Sequence, residues 1–422
     1  MFGLAEAEVA TLVRAVAGDS LDREQIRDRF ARATWTGIAE PGDRTAGLVT
    51  QVLGAADAME GVVARWPAQQ WAGAVFAAGL DGIPETEFQQ AMERWQPRLQ
   101  SAVALQALRQ AVRFGSRLLV PDAEGWPSGV DDLGLHAPIG LWMRGVDTAL
   151  PALARSVALV GARSATTYGE HVVMEISAGL VDRGYAIVSG AAYGIDGMAH
   201  RAALASRGTT VAFLAGGVDR FYPSGHDTLL TRIVAEGAII SELPCGQPPT
   251  KWRFLQRNRL IAAASQATVV VEAGWRSGSL NTAGHAAEIG RPIGAIPGPV
   301  TSAASAGCHR LIRDYDATLV TSPDEVAQLL RDFGDTPDAA VRLGAPEQTA
   351  GRPPSADETR LLDALSFRSP REVPDIAARS GLSIAAVQSL LGGLEIEERV
   401  AERERGWVKL GQRDSKRAAR RS

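Results

Sequence analysis

Between residues 106 and 335 the chain alternates short, nearly continuous apolar runs with longer stretches of helical period. The apolar runs fall at 157–160, 186–188, 211–214, 238–240, 268–272 and 293–296. Segments at 169–182, 194–206, 227–235 and 280–289 lie between them, with apolar residues recurring every three to four positions. A strand without polar alternation is buried on both faces, and crossover helices above and below a parallel sheet bury it that way. Right-handed crossovers then predict an α/β fold: an extended, Rossmann-like, doubly wound, mostly parallel sheet. Ligands of such sheets bind beyond the carboxyl ends of the strands.

The flanks read differently. Residues 1–105 space Leu12, Val13 and Val16, and later Phe76 and Leu80, at helical intervals, with breaks at Pro41-Gly42 and at Gly82-Ile83-Pro84. This predicts an N-terminal helical domain. Residues 336–356 are rich in Pro, Gly and Ala, as in a linker. Residues 357–411 carry helical patterns at 358–365, 372–379 and 384–397, then strand-like runs at 399–402 and 406–410. Three helices and a hairpin outline a winged-helix-like domain. Residues 412–422 hold five basic residues and one acid, and read as a disordered basic tail.

Composition narrows the function. The 422 residues carry a formal net charge of -4, so nucleic acid cannot be coated by bulk charge and any such contact needs a focused patch. Two cysteines, Cys245 and Cys308, make neither a disulfide framework nor a four-ligand zinc site. The six histidines are scattered, so no metal or other cofactor is expected. An N-terminus with Glu6 and Glu8 ahead of no apolar run predicts no signal peptide; with no membrane-length apolar run, a cytoplasmic protein is expected.

The run Lys251-Trp252-Arg253-Phe254-Leu255-Gln256-Arg257-Asn258-Arg259 stands out, with four basic residues, two aromatics and no acid. Cations for phosphates beside flat rings for bases are what single-stranded nucleic acid requires, and a solvated helix start with buried aromatics has the same composition. Three loops at strand ends share its character. Gly161, Arg163 and Ser164 follow the first strand; Ser189, Gly190 and Gly194 follow the second; Ser277, Gly278, Ser279 and Thr282 follow the strand ending at Glu272. Each couples small residues to a helix start, where amides attract anions; each is also compatible with an ordinary capped turn. No P-loop, dinucleotide fingerprint or nucleophile elbow is present. Glu242 and Glu272 end strands but have no evident mate, so no catalytic residue is assigned.

Taken in order, these stretches resemble the DNA processing protein DprA (Smf) family. The resemblance is carried by Val160-Gly161-Ala162-Arg163-Ser164, Ser189-Gly190 with Tyr193-Gly194-Ile195-Asp196, and Ala215-Gly216-Gly217-Val218-Asp219 with Tyr222-Pro223. It continues through Ser241-Glu242-Leu243-Pro244, Phe254 with Arg257-Asn258-Arg259, Ser277-Gly278-Ser279 with Thr282, and Pro297-Gly298-Pro299. Leu255 and Ala162 stand where the family often has proline and serine. The resemblance implies a binding protein, not an enzyme. Such a protein holds single-stranded DNA, forms a homodimer and helps load the recombinase RecA in natural transformation. It implies that Arg163 and Lys251 meet phosphates and Phe254 stacks a base. Arg257, Asn258 and Arg259 would line the same pocket. Backbone and hydroxyl donors would come from Gly161, Ser164, Ser189, Gly190, Gly194, Gly216, Gly217, Ser277, Gly278, Ser279 and Thr282. A rival reading is a nucleotide-processing hydrolase on a related sheet. Such enzymes carry a Glu three residues after a loop Thr; here Thr282 is followed by Ala283, Gly284 and His285. The recognition helix of the winged-helix outline holds no Lys or Arg, which argues against duplex reading through it.

Overall fold

A computed structural model describes residues 3–80, 83–121, 123–334, 355–397, 399–403 and 405–410. Helices α1 (Glu6–Ala17), α2 (Arg23–Ile38), α3 (Arg44–Leu53), α4 (Ala55–Val63), α5 (Ala68–Ala77), α6 (Glu85–Trp95) and α7 (Ser101–Arg113) come first. Then follow β1 (Arg117–Leu119), β2 (Leu141–Gly145), β3 (Ser156–Gly161), α8 (Thr167–Asp182), β4 (Ala186–Ser189) and α9 (Ile195–Ala205). The alternation continues with β5 (Thr210–Phe213), α10 (Asp227–Glu236), β6 (Ala238–Ser241), α11 (Lys251–Ala263), β7 (Ala267–Glu272) and α12 (Ser279–Glu288). It closes with β8 (Ile293–Ala295), α13 (Ala306–Asp314), β9 (Thr318–Leu319) and α14 (Pro323–Gly334).

All these strands join one sheet in the order β1-β2-β6-β5-β4-β3-β7-β8-β9. From β6 to β9 every pairing is parallel, while β1 and β2 add an antiparallel edge next to β6. Strands β3, β4, β5, β6 and β7 are buried along nearly their whole length, as the unbroken apolar runs predict. The chain order reverses between β4 and β7 around β3, which opens a crevice at the carboxyl ends of these strands. On one face, Val173, Ile176 and Leu180 of α8 and Ile195 and Ala199 of α9 pack on Val157, Leu159 and Val269.

The N-terminal helices do not form the separate unit expected for residues 1–105. Val9, Val13 and Val16 make an apolar stripe along α1 and join Phe30 and Leu108 in a core shared with Leu118, Trp142, Ile239 and Leu214. Helix α7 runs through position 105, because its own stripe completes this layer. Helices α3 to α6 enclose a second core of Trp35, Trp71, Phe88 and Trp95, in which Trp35 and Trp95 meet edge to face at 4.9 Å. The buried Trp35 indole N–H donates to the Ala55 carbonyl at 3.0 Å, which lets an amphipathic ring sit in the core.

Beyond the sheet lie α15 (Ala356–Ala364), α16 (Val373–Ser380), α17 (Ile384–Ile396) and the hairpin of β10 (Val400–Arg403) and β11 (Gly406–Lys409). Leu361, Ile376, Leu391 and Val400 form their common core. Ser355 and Ser383 cap α15 and α17 by accepting from the third backbone N–H. This is a C-terminal winged-helix domain. Of the expected linker, only Ser355 and Ala356 fall within the described residues, and the expected basic tail lies outside them.

Candidate nucleic-acid interface

Helix α11 sets the site. Thr250 caps it by accepting from the Arg253 N–H at 3.2 Å, so the helix begins at Lys251. The aromatic run therefore lies on the helix from its first residue. Its four cations diverge. Lys251 is exposed at the mouth of a crevice. Arg253 is buried and ion-paired to Glu40 at 2.9 Å, with further bonds to the Gln247 side chain and the Pro248 carbonyl. Arg257 is buried and donates to the carbonyls of Gly190 and Phe213, tying together the ends of β4 and β5. Arg259 is 3% exposed and pairs with both carboxylate oxygens of Glu242 at 2.6 and 2.7 Å.

The strand-end loops are pinned beneath. Thr166 caps α8 through Gly169, and the Glu272 carboxylate accepts from the Thr166 N–H at 2.9 Å and from its hydroxyl at 2.6 Å. Glu272 thus fixes the loop after β3. The Asp196 carboxylate accepts from the Gly190 and Ala192 amides at 3.2 and 3.4 Å. Burial raises its pKa against the pull of Arg257 and of those amides. Arg257 is held down to about 10, mainly by burial; Asp196 opposes the shift and the like charge of Arg163 adds to it. An anion in the crevice would relieve that crowding of positive charge.

The crevice itself has a volume near 740 Å³. Its walls carry the four cations Arg163, Lys251, Arg257 and Arg276, two aromatics, Tyr222 and Phe254, and one carboxylate, Asp196. The Arg163 guanidinium lies 5.0 Å from the centre of the Phe254 ring, and the Tyr222 ring stands 5.5 Å from it at 56°. Phe254 is only half-buried and Tyr222 is half-exposed, so both rings have surface to offer. Opposite them, the start of α12 brings Ser277, Gly278, Ser279 and Thr282 to the wall, and Asn258 donates to the Gly278 carbonyl at 3.3 Å.

The residues singled out in the sequence therefore separate. Gly161, Arg163, Ser164, Lys251, Phe254, Arg257, Asn258, Ser277, Gly278, Ser279 and Thr282 line the crevice. Ser189, Gly190, Gly194, Gly216, Gly217 and Arg259 do not. The Ser189 hydroxyl is committed to the Leu159 carbonyl at 2.6 Å. A Cβ on Gly190 would strike the Arg257 guanidinium, and Gly194 adopts φ +75° against the Ala162 carbonyl. A Cβ on Gly216 would crowd Pro249 at 2.9 Å, and one on Gly217 would reach 2.6 Å from the Pro244 carbonyl. These residues let backbones approach one another beneath the site. Arg259 turns away because its partner Glu242 lies at the far side of α11. Sequence reasoning missed Arg276 and Tyr222 as wall residues. Tyr222 precedes Pro223 in a stretch already noted, and Arg276 sits within the glycine-serine loop already marked; those were the available signals.

The family model for DNA recombination-mediator protein A matches residues 117–331, and that for the DprA winged helix domain matches residues 345–404. The chain belongs to the DprA family. A Mycobacterium tuberculosis protein with the provisional name DNA processing protein DprA is 45% identical over 68% of this chain and 76% of its own length. Protein Smf of Escherichia coli is 38% identical over 53% of this chain and 62% of its own. The crystal structure of DNA processing protein A from Streptococcus pneumoniae superposes with a TM-score of 0.56 at 30% identity, covering 72% of this chain and 97% of that one. DprA proteins are recombination mediators, and the sheet and the winged helix described above are this chain's version of that architecture. Among the described residues, no helix is long and apolar enough to cross a membrane.

Proposed function

We propose that this chain binds single-stranded DNA in the crevice at the carboxyl ends of β3 and β7, as a binding protein without catalysis. The observation that supports it best is the wall itself: four cations and two accessible rings against one buried carboxylate, in a chain of net charge -4. Phosphates meet Arg163, Lys251 and Arg276, and a base lies against Phe254, over whose ring the Arg163 guanidinium already stands. Base stacking tolerates any sequence, so this site holds strands without reading them. Arg257 lines the crevice as expected, and with Nη1 committed to two carbonyls it supplies charge from the floor.

Homodimer formation, RecA loading in natural transformation and a cytoplasmic setting are proposed on the strength of family membership. The hydrolase reading gains no support from Glu272, whose carboxylate is occupied by Thr166. The reading is tested by titrating fluorescent single-stranded and duplex oligonucleotides of equal length against the full chain and following anisotropy. The single strand should bind more tightly. Equal binding of the duplex, or no binding of either, contradicts the proposal.

A further inference from the structure

The winged-helix domain meets the crevice at its cationic mouth. The carboxylate of Asp363, at the end of α15, accepts from the Trp252 N–H at 3.0 Å, one residue from Lys251. The Arg360 guanidinium lies 5.6 Å from the Trp252 ring centre. Arg98 donates to the Ala378 carbonyl at the end of α16, at 2.7 Å. The domain is thereby held with one particular edge, the loop after α15 and the end of β11, beside Lys251. Leu382, Ser383 and Ala386, at the start of α17, line a separate open cleft with Asp43, Arg44 and Arg94.

That edge repeats the chemistry of the crevice. Phe367 is 63% exposed, and the Lys409 ammonium lies 5.3 Å from its ring centre. Arg368, beside it in sequence, is exposed. Lys409 is partly buried and is held below the ordinary lysine value by burial; Asp363 pulls it up, and the like charges of Lys251 and Arg399 push it down. Arg399 is occupied by Glu397 at 2.9 Å and Glu358 at 3.5 Å, and the Lys409 ammonium donates to the Leu362 carbonyl at 3.5 Å, while Lys251 is exposed. Phe367 lies outside the domain's own core, which Leu361, Ile376 and Leu391 fill, and an exposed ring beside Arg368 and Lys409 offers a surface on which a base can stack.

We propose that Phe367, Arg368 and Lys409 form a second contact for the same single strand, continuous with the crevice through Lys251. The order along the path is ring, cation, cation, ring: Phe254, Lys251, Lys409, Phe367. In this arrangement the winged-helix domain grips single-stranded DNA with the loop and hairpin edge and leaves α17 out of the contact. The inference rests on the proposed binding of single-stranded DNA in the crevice.

The test uses the full chain with two oligothymidylates, one of about 6 nucleotides that fills the crevice alone and one of about 20 that reaches the wing. Phe367→Ala and Lys409→Gln should lower the ratio of long-strand to short-strand affinity, Phe367→Ala by roughly tenfold. Thermal unfolding of each variant checks that the domain is intact; truncating an exposed ring leaves the core untouched. If the wild-type chain binds both strands and both variants keep its ratio, the wing contact is overturned while the crevice stands. If the wild-type chain binds neither strand, the crevice reading itself fails and the wing contact fails with it.

Discussion

Arg163 and Lys251 at the crevice, and Arg253 and Arg259 behind it, are residues of the same charge within one small region, yet they do opposite work. Behind the crevice each arginine is buried and meets a carboxylate: Arg253 shares Glu40 with Arg98, and Arg259 takes Glu242. At the crevice the cations face a cavity whose one carboxylate is tied down by backbone amides. The difference teaches that a basic run is divided by the register of its helix. A residue on the packed side of α11 holds the fold, and one at its open end is free for a ligand. The two buried pairs also differ from each other. Two arginines hold Glu40 at about 2 even though burial pushes it up, whereas for Glu242 burial outweighs its single arginine and its pKa is raised.

The sharpest way to break this division is to attack the buried side. Glu242→Ala leaves the Arg259 guanidinium buried without its carboxylate and should cost about 3–5 kcal/mol of stability. The loss would be read as a lower urea midpoint at unchanged slope, while the folded protein keeps its affinity for single strands. A loss of affinity with intact stability would instead place Arg259 among the DNA contacts.

Glu40 offers a pH test of the same side. Its pKa falls from 4.5 in the unfolded chain to about 2 in the fold. A depressed carboxylate stabilises fully above its unfolded value and loses that contribution as pH falls through the folded one. Stability should therefore decline between pH 4.5 and about 2, with Glu40 contributing about 3 kcal/mol of the fall. Glu40→Gln should lower stability at neutral pH and flatten the acid limb. Chemical denaturation across the pH series checks both.

On the crevice side, Phe254→Ala should weaken single-strand binding by about 1–3 kcal/mol with little change in its salt dependence. A large change in salt dependence would mean that the ring works by positioning Arg163, which lies 5.0 Å from it.

Much of this division was legible in the sequence, and its limits have physical causes. The buried parallel strands announce themselves because a strand covered on both faces has no polar alternation, and β3, β4, β6 and β7 lie within a residue or two of the apolar runs. The short antiparallel edge of β1 and β2 did not, since three to five residues carry too little period to detect. The start of α11 was not legible, because Thr250 is an ordinary residue until its hydroxyl is seen to accept from the Arg253 N–H. The crevice loops were found because glycine, serine and arginine at a strand end are unusual together. The separation of Arg253 and Arg259 from Lys251 was hidden, because nothing in the sequence marks the deciding partners: Glu40 lies 213 residues before Arg253, and Glu242 lies 17 residues before Arg259. The mixed core of α1, α2 and α7 was hidden for the same reason: an apolar stripe states that a face is buried but not against what.

The most direct measurement of the central claim is the salt dependence of single-strand affinity for the wild-type chain and for Lys251→Ala and Arg163→Ala. If these two cations meet phosphates, each variant should bind more weakly and lower the slope of log K against log salt by about 0.7 in magnitude. Slopes and affinities identical to the wild-type chain in both variants would contradict the placement of single-stranded DNA in this crevice.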